Sequence, residues 1–268
     1  GLTPLHCALC SGSGKFDVAE ALLDARADPT TWYGGNAGPP IHLLALFGNA
    51  NTLEEWLARF PGDIRARDGI FGGTPLRTLV MVRSDGMAAA KSFDLLRRRG
   101  ADARAPDGLC DSDAALHAAC ASEYADPIIV RTLLECRCSP DARAYPMWWR
   151  FWGAMHGSRL VAAISRLCDR RPSGLAEYLA GNFGATPLHH AARFGNVGLV
   201  KLLLEARARS QPNGLGRTPL QEAVCTFGER LPVALVELFE VGGAPTAPAA
   251  VGDDCHVEQP ASPESEPP

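Results

Sequence analysis

Apolar residues recur along this chain with the spacing of short amphipathic helices, most clearly in the stretch from Gly184 to Arg209. Leu199, Leu202 and Leu203 stand there at positions i, i+3 and i+4, so one face of a helix carries all three side chains. The pattern predicts a helix that buries this stripe against a neighbouring element.

A second predicted helix precedes this one. Thr186 is suited to cap its start, because a threonine side chain accepts a backbone N–H, and Pro187 follows at a position where its missing donor costs nothing. Gly195, between the two helices, supplies the positive φ of a tight turn. A helical hairpin of this size cannot bury its apolar face alone, so the pattern predicts that several copies stack.

The start of this unit, Thr-Pro-Leu-His, returns along the chain in intact and altered copies. The fourth residues of the six copies are His6, His42, Arg77, His117, His189 and Gln221. Neighbouring copies are 32 to 40 residues apart, except for a gap of 72 residues between His117 and His189. The wide gap predicts one further, degenerate unit.

The repeat therefore predicts about seven units over residues 1–243, followed by a tail. The predicted bounds are 1–33, 34–69, 70–107, 108–143, 144–182, 183–213 and 214–243. In the fifth, degenerate unit, an alignment of Gly157 with Gly195 places the second helix at residues 159–169. Residues 244–268 are rich in Pro, Ala, Glu and Ser, which predicts a flexible acidic tail.

The tetrapeptide, the alanine pair after it, the glycine turn, the leucine run and the Ala-Asp near the unit end together resemble the ankyrin repeat. The resemblance implies an all-α ankyrin-repeat solenoid, in which helix-turn-helix units stack and hairpin fingers project between them. It also implies a concave face that binds another protein without a cofactor. Such contacts typically come from finger tips and from the exposed end of the first helix. The corresponding residues, with an aromatic patch in the fifth unit, are Phe71, Arg83, Trp148, Trp152, Phe183, Arg193, Phe194, Leu215 and Arg217.

Some residues could carry chemistry, but simpler explanations are favoured. A histidine recurs at the fourth position, and because a catalytic residue is not needed once per repeat, a structural role is expected. Cys7 and Cys10 form a C-x-x-C pair, yet a zinc site usually needs a second pair. We therefore predict no metal, cofactor or catalytic residue. Trp148 and Trp152 share a helix face, where they either fill the space left by a degenerate unit or form an exposed partner site.

Composition narrows the partners and the location. The net charge of −4 comes from an acidic end, so the nearly neutral body gives no reason to expect nucleic acid. No apolar run is long enough to span a membrane. Nine cysteines without regular spacing favour reduced thiols and an intracellular, cytoplasmic location. The chain starts at Gly1 inside a unit, which suggests that the natural N-terminus is missing.

We expect a protein–protein interaction scaffold without catalysis of its own, whose partner the fold does not name. An alternative is the targeting arm of a larger enzyme, such as a kinase, an acyltransferase or a ubiquitin-ligase adaptor; a catalytic motif upstream in the full reading frame would favour it. A third hypothesis is a decaying gene product, which predicts poor solubility and a broad thermal transition.

Overall fold

A computed structural model describes residues 2–10, 16–33, 38–47, 49–69, 72–82, 87–108, 110, 112–121, 126–145 and 182–241. Twelve α-helices and two short 3-10 helices lie in this part of the chain. The α-helices are α1 (Pro4–Cys10), α2 (Asp17–Asp24), α3 (Pro40–Phe47), α4 (Ala50–Arg59), α5 (Pro75–Val82), α6 (Met87–Arg98), α7 (Ala114–Cys120), α8 (Pro127–Glu135), α9 (Pro187–Arg193), α10 (Val197–Glu205), α11 (Pro219–Phe227) and α12 (Val233–Val241).

The helices form successive pairs, each with a first helix, a turn and a second helix. The first helices α1, α3, α5, α7, α9 and α11 pack side by side in that order. The second helices α4, α6, α8, α10 and α12 form a parallel row behind them. This is the stacked helix-turn-helix architecture that the sequence predicts.

Leucine and alanine fill the space between the two rows. Leu199 and Leu203 are fully buried and Leu202 is nearly so, as the sequence pattern predicts. Ala191 and Ala192 are also fully buried, because small side chains on the first helix let the neighbouring helix approach closely. Full burial of a leucine side chain stabilises a fold by roughly 1.5–3 kcal/mol, so this repeated core supplies most of the favourable free energy.

The turns confirm the predicted use of glycine and of capping threonines. Gly195 adopts a φ of 68°, and a Cβ at this position would lie only 2.8 Å from the Phe227 ring. Thr218 accepts the backbone N–H of Gln221 at 3.3 Å, and the side chain of Gln221 accepts the N–H of Thr218 at 2.8 Å. Two otherwise unpaired donors at the start of α11 are thereby satisfied.

Hairpin-like fingers precede the first helices. In the finger before α11, the N–H of Asn213 donates to the carbonyl of Arg217 at 2.9 Å. In the finger before α5, the N–H of Asp68 donates to the carbonyl of Gly73 at 3.0 Å. Each of these fingers is thus closed by a backbone hydrogen bond and leads directly into the first helix of the next unit.

The finger before α9 is different, because its two sides are far apart in sequence. The N–H of Ala144 donates to the carbonyl of Ala185 at 2.8 Å, and the N–H of Gly184 donates to the carbonyl of Ala144 at 2.7 Å. Next to it, the backbone N–H of Arg209 donates to a carboxylate oxygen of Asp141 at 2.7 Å. Since α7 packs on α9 and α8 packs on α10, the fourth and sixth predicted units are direct neighbours.

This contact bears on the predicted fifth unit, 144–182. Residues 146–181 lie outside the described residues, so its bounds and its second helix at residues 159–169 stay a prediction. The described contacts between α7 and α9 leave no layer between the fourth and sixth units.

The turn after a second helix carries an unusual residue in three units. Arg26, Arg137 and Arg207 each stand two residues beyond a helix end, with φ of 64°, 64° and 63°. In the third unit Gly100 occupies the same position, with φ of 91°. A side chain in this left-handed region costs roughly 1–2 kcal/mol, so the three arginines are strained where glycine would not be.

Replacement of Arg137 by glycine is therefore expected to raise the free energy of unfolding by about 1 kcal/mol. The measurement is urea unfolding in 0.5 M NaCl, where surface ion pairs are largely screened. Arg99, which also follows a second helix but has no positive φ, is the control. Arg99→Gly should lower stability, and an equal effect of both substitutions would rule out relief of strain as the cause.

Candidate functional site

In the first, second and sixth units, the histidine at the fourth position joins its unit to the following finger. The Nε2 of His6 bonds the carbonyl of Thr31 at 2.9 Å, and the Nε2 of His189 bonds the carbonyl of Arg217 at 3.0 Å. The Nδ1 of His189 accepts the backbone N–H of Thr186 at 3.0 Å. Because a carbonyl can only accept, Nε2 carries the proton. Nδ1 accepts an N–H and therefore carries none, so the ring is neutral. These histidines are structural, as the repeat predicts.

Arginine replaces this histidine in the third unit. The guanidinium of Arg77 lies 2.8 Å from a carboxylate oxygen of Asp107, with 6% and 2% of the two side chains exposed. The same carboxylate accepts the backbone N–H of Cys110 at 2.7 Å. In the third unit, therefore, a buried ion pair joins the first helix to the next finger. In the first and sixth units a neutral hydrogen bond joins them.

Burial keeps the histidines of the middle units uncharged. It lowers the pKa of His117 to about 4, against a smaller opposing effect of the Asp113 carboxylate. It likewise lowers the pKa of His189 to about 4. The pKa of His190, whose ring lies 5.5 Å from the ring of His117, falls well below its usual range by burial and by the neighbouring imidazole. None of these rings is available as a proton donor to a substrate near neutral pH.

Arg193, predicted as a partner contact, is held inside the stack instead. Its guanidinium forms an ion pair with Glu222, and only 13% and 6% of the two side chains are exposed. A further guanidinium N–H donates to the Asn182 side-chain oxygen at 3.0 Å. Removal of Arg193 would leave a buried carboxylate short of its partner, so this residue is expected to stabilise the fold whether or not it contacts a partner.

The structure places four more of the predicted residues in this region. Phe194, at the end of α9, is 41% exposed, and Leu215, in the next finger, is 38% exposed. Phe183 is half-buried, with its ring 5.3 Å from that of Tyr145. Arg217 lies 4.0 Å from the second oxygen of Glu222. Of the predicted contact residues, Phe194 and Leu215 are thus the exposed apolar ones, and Val224 of α11 is a further exposed apolar side chain in the seventh unit, with 44% of it exposed.

The remaining predicted residues lie outside the described part of the chain. They are Phe71, Arg83, Trp148 and Trp152. Two residues that organise the site, Glu222 and Asn182, were missed by sequence reasoning. Glu222 could have been recognised from the sequence. It is an acidic residue at a position of the repeat that is buried in other units, where Leu43 and His190 stand. A charge at a buried repeat position indicates a partner, here supplied by the preceding unit.

The described residues show neither a metal centre nor a membrane helix. They contain no group of three or more histidine, cysteine, aspartate or glutamate side chains arranged to hold a metal ion. The seven described cysteines are free thiols. Among the described helices, none has the length and apolar character needed to cross a membrane.

Stacked helical pairs joined by hairpin fingers define this chain as a helical-repeat protein of the solenoid class. Residues 154–237 match the family model described as "Ankyrin repeats (3 copies)", and residues 1–31 match the one described as "Ankyrin repeat". The chain is an ankyrin-repeat protein. Between the two matched segments, helix pairs α3–α4, α5–α6 and α7–α8 show the same arrangement. The search of curated proteins found no match. Ankyrin repeats generally mediate protein–protein interactions.

Proposed function

We propose that this chain is a protein–protein interaction scaffold that captures a partner protein on the first-helix and finger side of its sixth and seventh units. The observation that carries the proposal is that Phe194, at the end of a first helix, and Leu215, in the next finger, are both exposed. Interfaces typically depend on a few large apolar anchors of this kind.

The base beneath these anchors supports the same function. Glu222 is buried and receives Arg193 from the preceding unit, while its second oxygen accepts the Asn213 side-chain N–H at 3.3 Å. Asn213 in turn accepts the backbone N–H of Leu215 at 3.0 Å. The finger is thereby fixed to α11, and a surface that is already ordered loses less conformational entropy on binding.

No cofactor is needed for such binding, and the proposal includes no catalysis by this chain. The buried, neutral histidines fit a role in stacking rather than in proton transfer. The free thiols of the described cysteines support an intracellular location.

Replacement of Phe194 and Leu215 together by alanine is expected to weaken partner capture about thirtyfold, because two anchors worth about 1 kcal/mol each are lost. Immobilised chain would be incubated with cell extract, and captured proteins would be compared quantitatively between the variant and the original chain. Arg193 stays unchanged in this variant because it stabilises the fold. Thermal unfolding should be the same for both chains.

The matched control is Ile128→Ala, which removes an apolar side chain that is 65% exposed on the second helix α8. The control should capture the same proteins as the original chain. If the double variant kept every captured protein while Ile128→Ala lost one, the partner would bind on the second-helix side, and the proposed surface would be wrong.

A further inference from the structure

The strained arginines described above lie on one edge of the molecule. Arg26, Arg137 and Arg207 are all exposed, and all follow the C-terminal end of a second helix. In all three turns the N–H of the arginine donates to a carbonyl three residues before it. A glycine at these positions would remove the strain. Because arginine stands there in three units, we infer that its charged side chain has a function at this surface.

Further basic residues lie around these turns. We define the arginine edge as residues 24–28, 59–67, 94–104, 135–143 and 205–209, which contain twelve arginines and eight acidic residues. Within the edge, Asp94 bonds both Arg97 and Arg98, and Asp141 bonds Arg209. Two further arginines bond acidic residues just outside it, Arg99 to Glu54 and Arg104 to Asp113. The edge has four more arginines than acidic residues, and two more when these outside partners are included, so it keeps a net positive charge along the stack. Part of it complements the negative ends of the second helices.

The chain leaves the last described helix at the end of this edge. α10 and α12 are each nine residues long, and Val241 ends α12 as Glu205 ends α10. Val241, the last described residue, therefore takes the repeat position of Glu205 at this edge. Neighbouring helices pack roughly 8–10 Å apart, so the following segment starts about one layer from Arg207.

That following segment has the opposite charge. Residues 244–268, the acidic tail, contain no lysine or arginine, and the acidic residues are Asp253, Asp254, Glu258, Glu264 and Glu266. Twenty-five residues can span at most about 80 Å, whereas six layers at about 10 Å each span roughly 60 Å. The tail is long enough to lie along the whole edge.

We propose that the acidic tail, residues 244–268, docks along the arginine edge of its own chain. Exposed ion pairs are individually weak, but a tethered segment meets its site at an effective concentration in the millimolar range. Several weak pairs then suffice for occupancy. The edge runs from the second-helix ends to the bases of the fingers, where Arg67 bonds the carbonyls of Gly72 and Pro106. It does not include Phe194 or Leu215, so this proposal does not depend on the proposed partner site.

The test uses full-length chains and a fluorescent synthetic peptide of residues 244–268 as the probe. A neutral-tail variant carries Asp253→Asn, Asp254→Asn, Glu258→Gln, Glu264→Gln and Glu266→Gln. In 50 mM NaCl the peptide should bind this variant at least tenfold more tightly than the original chain, whose own tail competes. In 500 mM NaCl the difference should disappear, because exposed charges are then screened. Fluorescence anisotropy measures both affinities.

A second set of substitutions locates the docking surface. In the neutral-tail variant, Arg99→Gln, Arg137→Gln and Arg207→Gln together should weaken peptide binding at least tenfold. The matched control removes three exposed positive charges that lie away from the edge. It carries Lys91→Gln, Lys201→Gln and Arg230→Gln, and its affinity for the peptide should stay within twofold of that of the neutral-tail variant.

Three outcomes would overturn the proposal. The first is equal peptide affinity of the original and neutral-tail chains, since no competing tail would then be bound. The second is equal loss in the edge variant and its control, which would indicate net charge rather than a site. The third is concentration-dependent dimerisation of the original chain that the neutral-tail variant lacks, because the tail would then dock on a second copy.

Discussion

Acidification from pH 7 to pH 4.5 is expected to lower the free energy of unfolding by about 5 kcal/mol through two histidines alone. Burial lowers the pKa of His117 and of His189 to about 4, whereas an unfolded histidine titrates near 6.5. As the pH falls below 6.5, the unfolded chain therefore binds protons that the folded chain cannot accept. At pH 4.5 each histidine therefore lowers the free energy of unfolding by about 2.5 kcal/mol, whereas above pH 6.5 it changes this free energy little.

A loss of this size is comparable to the whole stability of many domains. Urea unfolding followed by circular dichroism at pH 7.5, 6.5, 5.5 and 4.5 would measure it. His42 and His190 act in the same direction, because burial lowers the pKa of each. The carboxyl groups of Asp28 and Asp94 also have lowered pKa values, but their protonation begins only at a lower pH. The window above pH 4.5 therefore isolates the histidines.

His189→Gln is the matched control, because Gln221 occupies the same repeat position in the last described unit. The variant should lose about half of the pH dependence that His117 and His189 together produce. A free energy of unfolding that stays level from pH 7 to pH 5 would contradict the assignment of neutral, buried rings.

Replacement of Arg77 by alanine is expected to cost about 3–5 kcal/mol of stability, because it leaves the Asp107 carboxylate buried without its cation. Double replacement with Arg77→Leu and Asp107→Asn should cost much less, since no unpaired charge then remains buried. Denaturant unfolding of Arg77→Leu, of Asp107→Asn and of the double variant gives the coupling energy directly.

Arg98→Ala provides the comparison at the surface. Arg98 bonds Asp94 with 73% and 37% of the two side chains exposed, so its loss should cost less than about 1 kcal/mol. If Arg77→Ala cost no more than Arg98→Ala, the buried pair would contribute nothing beyond an exposed one, and its part in joining the third and fourth units would be wrong.

The sequence predicted those features that every unit repeats within itself. The buried stripe of Leu199, Leu202 and Leu203, the left-handed Gly195 and the structural role of His189 follow from local spacing, and all are confirmed. Each of these residues meets nearly the same surroundings in its own unit. A local pattern is therefore sufficient to assign them.

Contacts between units could not be predicted in the same way. Arg193 was predicted as a partner contact because it lies at the end of a first helix, and nothing near it in sequence shows that it pairs with Glu222, 29 residues further on. Likewise, nothing near Arg77 shows that Asp107 will approach it. The residues that a side chain contacts in the neighbouring layer depend on which unit forms that layer. The order of the units in the sequence does not by itself show which unit this is.

The order of layers is the clearest such case. A gap of 72 residues between His117 and His189 indicated one further unit, and chain order would place it between its neighbours. The contacts of α7 with α9 and of α8 with α10 show instead that the fourth unit meets the sixth. The sites predicted at Trp148 and Trp152 stay predictions, because they lie outside the described residues.

The contact between the fourth and sixth units also has a kinetic consequence. Elsewhere a new layer forms against the layer that has just preceded it, so an ordered region can grow along the chain by local steps. The contact of Ala144 with Ala185 joins residues about forty positions apart, so it costs closure entropy before any contact between the fourth and sixth units offsets that cost. Folding is therefore expected to begin on both sides of the loop and to end with the docking of two preformed halves.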